Sequence, residues 1–197
     1  MLFTYYIPME EQFLCVRQLV ADVVASMVPE YAAVAKARSH HSATLVRIVN
    51  ELSLKHEIVF ESIVRKLRLG VNSHCDAAHC QQMFAGVVDK LFADGRYNWG
   101  RVVTVFAYAG WMARVGNANS LGTTSEFGVV SWSTIVINVA SAYVSRKLSH
   151  WICQQGGWDA MERFFAKPVP FETKLWQCLL YTFFSLSALA TGAGNVR

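Results

Sequence analysis

Apolar residues recur in this chain at three- and four-residue steps almost from end to end, and no stretch shows the clean alternation of a half-buried strand. The first run, Phe13, Val16, Leu19, Val20, Val23, Val24 and Met27, makes one face of an amphipathic helix that Pro29 stops. Ala32 to His41 is small and polar and reads as a loop. Ser42 is placed to cap the next helix, whose apolar positions Leu45, Ile48 and Leu52 keep helical spacing. His56 to Leu69 puts Val59, Phe60, Ile63, Val64 and Leu67 on one side, and Gly70 ends it. Asp76 to Ala93 is a further amphipathic helix, closed by Asp94-Gly95.

Two later segments depart from this pattern. Val102 to Ala113 carries no charge, and an apolar surface all round predicts a buried central helix, too short to cross a bilayer. A loop over Gly116 to Ser125 follows, and then Phe127 to Ser145, also uncharged but interspersed with Ser131, Ser133, Thr134, Asn138 and Ser141. That polarity predicts a half-buried helix packed beside the central one, with a membrane-inserting hairpin as the sharper alternative. Leu175 to Gly194 is uncharged and rich in Leu, Phe and Ala. At about 1.5 Å per residue it just spans a hydrocarbon core of about 30 Å, although Gln177, Ser185, Ser187 and Thr191 make it a weak span. The alternative is a final helix folded onto the domain. The expected fold is therefore all-α: about eight helices around a central one, Trp99 to Val115, over residues 1–170, with a hydrophobic tail over 171–197.

Composition narrows the function classes. A chain of 197 residues is one domain by length and is long enough for a self-sufficient core. Hydrophobic residues make up 53% and charged ones 16%, so the apolar excess needs a core, a groove or a membrane. The net charge of +4 is modest and its basic residues are scattered, which argues against nucleic acid. Met1 to Glu11 has no basic residue and no long apolar run, so no secretory leader is expected. With the cysteines odd in number and widely spaced, reduced thiols facing the cytosol are expected. Cys75 and His79 could share a helical face, but one short cluster without a matching second pair does not make a zinc site. No phosphate-cradling loop, nucleophile elbow or paired metalloprotease histidines occur, so no enzyme, cofactor or metal is expected.

The chemistry lies in two turns. Asp94-Gly95-Arg96-Tyr97-Asn98-Trp99-Gly100-Arg101 and Trp151-Ile152-Cys153-Gln154-Gln155-Gly156-Gly157-Trp158-Asp159-Ala160 each place Gly and Trp beside charged or amide residues where one helix stops and another begins. A protein that binds a helix needs an apolar trough and one or two polar groups to fix register. Asn98 and Arg101 fall in the first turn of the central helix beside Gly100, whose missing Cβ lets a partner backbone come close. Arg101 offers a planar fork suited to a bidentate carboxylate, so an Asp on an incoming helix is its expected mate.

In this order and at this separation, the two motifs resemble the first and second homology motifs of the Bcl-2 family of apoptosis regulators. The two residues between Gly95 and Asn98 are most similar to its myeloid cell leukaemia branch, as are His56-Glu57-Ile58-Val59-Phe60 and Trp158 to Phe165. The resemblance implies a groove lined by Ile48, Leu52, His56, Phe60 and Ile63, by Val87, Val88 and Leu91, and by Thr104, Val105 and Tyr108. It gives Trp99, Gly157 and Trp158 structural roles, the last two starting a helix that closes the groove end. The implied partners are amphipathic helices of pro-apoptotic relatives, whether Bak-like, Bax-like or carrying only the homology motif. The implied location is the cytoplasmic face of the mitochondrial outer membrane, reached through the tail. Family killers expose Leu, three residues, then Gly-Asp. Here the matching run from Leu45 to Leu52 has Val49 for the small residue and Asn50 for the carboxylate, which favours a pro-survival receptor over a membrane-permeabilising effector.

Overall fold

The structure, a computed structural model, describes residues 9–28, 39–66, 77–120 and 131–166. Its helices are α1 (Met9–Met27), α2 (His40–Lys55), α3 (Glu57–Lys66), α4 (Ala77–Leu91), α5 (Trp99–Ser120), α6 (Trp132–Tyr143), α7 (Ser149–Gln154) and α8 (Gly157–Ala166). A π-helical turn, Val144–Leu148, joins α6 to α7 as one continuous rod. No strand occurs among the described residues, so the all-α expectation holds. The tail expected over Leu175 to Gly194 lies outside the described residues, among which no helix is long and apolar enough to cross a membrane.

α5 is the axis of the fold. Every residue from Arg101 to Ala113 is buried, and α1, α2, α3, α4 and α6 all pack on this helix. The uncharged run Val102 to Ala113 has no polar face and no favourable place at a surface, so its burial on all sides follows from its sequence. Its inner partners are the apolar faces read from the periodicity, among them Val16, Leu19, Val20 and Val23 of α1 and Leu45 and Leu52 of α2, none more than 2% exposed.

Three boundaries differ from the sequence reading, each for a local reason. α2 starts at His40 and not after Ser42: Ser39 is its N-cap, and the Ser39 hydroxyl accepts from the Ser42 N–H at 3.2 Å. Ser42 instead donates its own hydroxyl to Asp22 of α1, which is 1% exposed and also accepts from Gln18 at 3.0 Å. A buried carboxylate with two donors pins α1 to α2. His56 is not the first residue of α3 but the turn that ends α2, its N–H donating to Leu52 O at 3.1 Å. The third difference is α5, which runs through the expected loop as far as Ser120. The start of α6 holds it there: Trp132 Nε1 donates to Met112 O at 2.8 Å, Ser133 donates to Asn117 at 3.1 Å, and the Trp132 ring fills the space a side chain at Gly116 would need. In the π turn, Val144 and Leu148 both face the core, at 0% and 1% exposure.

Candidate helix-binding site

α3 and α4 lie on α5 and, among the described residues, touch each other little, leaving a trough with α5 as its floor. A cavity of about 20 Å³ sits in it, lined by Phe60 and Ile63 of α3, Val87, Val88 and Leu91 of α4, and Thr104, Val105 and Tyr108 of α5. These are eight of the eleven residues expected to line a groove. Thr104 adds no free polarity, because its hydroxyl donates to Gly100 O at 2.9 Å. Tyr108 stacks on Phe84 at 5.5 Å, and Phe60 stacks on Trp111 at 6.0 Å, so rings stiffen the floor. Burial pushes the Tyr108 phenol well above its ordinary range, so it stays neutral.

The other three expected residues are elsewhere. Ile48 and Leu52 point into the core, 4% and 2% exposed, and His56 is buried in the α2–α3 turn; none of them lines the cavity. Their helical spacing was legible, but which apolar face of α2 meets the core was not. A cavity of about 20 Å³ holds no more than about one water molecule. The side chains lining it must therefore move before a leucine-sized anchor enters.

At the N-terminal end of the floor lies the arginine. Asn98 accepts from the Arg101 backbone N–H at 2.9 Å, satisfying a first-turn donor of α5 in the manner of an N-cap. Gly95, at φ +69°, takes the left-handed conformation that turns the chain out of α4, which explains the glycine at this point. The turn brings Asp94 and the Arg96 carbonyl against Arg101. Its Nη1 donates to Asp94 Oδ1 at 2.5 Å and to Arg96 O at 2.5 Å, and its Nη2 donates to Asp94 Oδ2 at 2.8 Å. Arg101 is 7% exposed, and its guanidinium makes a bidentate pair with its own chain. The Arg101 hydrogen bonds, helped by the Arg96 N–H, hold the Asp94 carboxyl well below the usual carboxylate range. Gly100, expected to lie open to a partner, is buried in this first turn.

Asp94, a motif residue outside the expected binding set, is the arginine's partner, and its signal in the sequence is an acid in the same interhelical turn. The second turn is aromatic. Gly156 and Gly157 have φ +96° and +69°, and Gly157 opens α8 as expected. Trp99 meets Trp151 at 5.0 Å and Trp158 at 6.1 Å, and Trp158 meets Phe106 edge-on at 5.8 Å. Tyr97 stacks on Phe92 at 4.9 Å and on Trp151 at 6.3 Å. The two motifs, fifty residues apart, are thus one aromatic cluster in space.

Fold and site together define a helical bundle with an apolar trough and a buried arginine at its end. The sequence profile of the apoptosis regulator proteins of the Bcl-2 family matches residues 45–158, and the chain belongs to that family. It is 35% identical to apoptosis regulator Bcl-2 of Gallus gallus over 82 residues, 42% of this chain and 31% of that protein. To apoptosis regulator BAX of Bos taurus it is 27% identical over 88 residues, 45% of this chain and 42% of that protein. These matches therefore span less than half the length of either relative. Among solved structures it superposes on chicken BOK with a TM-score of 0.59 at 20% identity, covering 80% of this chain and 99% of that one. On Trichoplax adhaerens trBcl-2L2 bound to trBak BH3 the TM-score is 0.61 at 22% identity, covering 78% and 99%. A zebra-fish pro-survival protein, NRZ, in complex with Bad BH3, gives 0.58 at 22% identity, covering 80% and 93%.

Proposed function

We propose that this chain is a pro-survival receptor that holds amphipathic helices of pro-apoptotic relatives in the trough between α3 and α4. The observation that carries the reading is the placing of Arg101. Thr104 and Val105, on the trough floor, follow it by one turn of α5 and share its side of the helix. A helix with apolar anchors over Val88, Val105 and Tyr108 would bring its Asp to the guanidinium now held by Asp94, so the incoming carboxylate exchanges with Asp94 instead of meeting a free cation. Each apolar anchor contributes about 1.5–3 kcal/mol before ordering costs, and the charge pair sets register. The Trichoplax and zebra-fish neighbours, each solved with a BH3 segment, support this mode of binding.

The receptor assignment rests on α2. Val49, in place of a small residue, is fully buried, and Asn50 cannot offer a carboxylate to another protein's arginine. The hydrophobic run over residues 171–197 we assign to membrane anchoring on the cytoplasmic face of the mitochondrial outer membrane, in keeping with its length. A second reading, a membrane-permeabilising effector, is favoured by the BAX relative and the BOK-like fold. Dye-loaded liposomes separate the two. The receptor blocks leakage caused by an effector and causes none when given an activating helix, whereas leakage caused by this chain itself would sink the assignment.

A further inference from the structure

Away from the trough, the first two residues of α2 meet α8. His41 Nε2 lies 2.7 Å from Asp159 Oδ1 and 4.0 Å from Glu162 Oε1, and His40 Nδ1 lies 2.6 Å from the same Glu162 oxygen. The donor atoms of His41, Asp159 and Glu162 all fall within 4.8 Å of one another. Asp159 and Glu162 are one turn apart on α8 and share its face, while His41 arrives from a different helix. We propose that His41, Asp159 and Glu162 bind a divalent transition-metal ion, with His40 as a fourth donor, and that this ion ties the start of α2 to α8.

The donor set selects the ion. Imidazole nitrogen with two carboxylates suits zinc and its neighbours, whereas magnesium and calcium favour all-oxygen shells. Bonds of about 2.0–2.2 Å place tetrahedral donors about 3.4 Å apart, between the 2.7 and 4.0 Å that now separate His41 from the two carboxylates. The Asp159 and Glu162 carboxylates both converge on His41, and a divalent ion held between them offsets their mutual repulsion. Coordination replaces the hydrogen bond between His41 Nε2 and Asp159 Oδ1, because a metal-bound imidazole nitrogen carries no proton, and the proton released goes to solvent. The N-terminal ends of α2 and α8 oppose a cation here, but that effect is the size of a weak hydrogen bond and three coordinate bonds outweigh it. Glu162 and His41 are partly shielded, at 20% and 32% side-chain exposure, while Asp159 at 70% leaves the site open to an ion from solution.

The site is tested on the full chain by calorimetric titration with zinc chloride, with magnesium as the control ion and circular dichroism to confirm that each variant is folded. One zinc per chain is expected, weakened at least tenfold by His41→Ala or Glu162→Gln and less by His40→Ala. A variant with Cys15→Ser, Cys75→Ser, Cys153→Ser and Cys178→Ser should bind unchanged. Cobalt should give visible absorption without the intense ultraviolet band of a thiolate complex. No saturable zinc binding, or equal affinity in the His41→Ala/Glu162→Gln double variant, would overturn the proposal. So would loss of zinc in the cysteine variant, which would assign the ion to thiols.

Discussion

The turn between α4 and α5 and the turn between α7 and α8 share a left-handed glycine and a tryptophan at a helix start, yet one buries a cation and the other buries rings. In the first, Gly95 swings the chain so that Asp94 and the Arg96 carbonyl close on Arg101, and Trp99 goes into the core at 5% exposure. In the second, Gly156 and Gly157 deliver Trp158 against the rings of Trp99 and Phe106, half-buried, with its neighbour Asp159 turned to the surface. The same local device therefore buries an ion pair at one end of α5 and packs an aromatic brace beside it. The sequence order of the motifs matters because the second braces the tryptophan of the first.

The largest effect should separate the two tryptophans. Trp99→Ala removes a buried indole that contacts two others and should cost about 3–5 kcal/mol of unfolding free energy in denaturant melts. Trp158→Ala, at a half-buried position, should cost clearly less; equal losses would mean the second turn is core and not brace. A smaller effect concerns α2. A peptide copying Ser42 to Lys55 should bind family grooves poorly, and Val49→Gly with Asn50→Asp should tighten it more than tenfold, about 1.4 kcal/mol, in fluorescence competition. Tight binding by the unaltered peptide would instead make this chain a donor of helices.

Smaller still is the competition at the first turn. Asp94→Asn removes the carboxylate that holds Arg101 and should raise affinity for an Asp-bearing helix about threefold, or about 0.7 kcal/mol, by titration. A fall would show that Asp94 positions the guanidinium and does not compete for it. Because the folded state depresses the Asp94 carboxyl, its contribution to stability is complete above the ordinary carboxylate range and is lost as pH falls below it. Stability of the Asp94→Asn variant should therefore run parallel to wild type between about pH 5 and 8 and lack that acid-side slope.

Much of this was legible in the chain because it is periodic or local. α5 declared itself by an uncharged run, and the eight trough residues came from the family resemblance carried over position by position. What was hidden depends on distant partners. The end of α5 is set by Trp132 lying over Gly116, and the start of α2 by Ser42 answering Asp22 of α1. Ile48 and Leu52 have groove-like spacing, but α1 and α5 take that face into the core. The His41–Asp159 pair, which no spacing rule reaches, joins the second helix to the last.

The central claim, that Arg101 receives the carboxylate of an incoming helix, is tested most directly by a double-mutant cycle. Wild type and Arg101→Ala are titrated calorimetrically with a peptide carrying Leu-x-x-x-Gly-Asp and with the same peptide bearing Ala for its Asp. The account predicts a loss of about 2 kcal/mol or more for either single change, little further loss when both are made, and hence a coupling of at least about 1.5 kcal/mol. Additive losses, with coupling near zero, would show that Arg101 serves only its internal pair with Asp94 and would contradict the account.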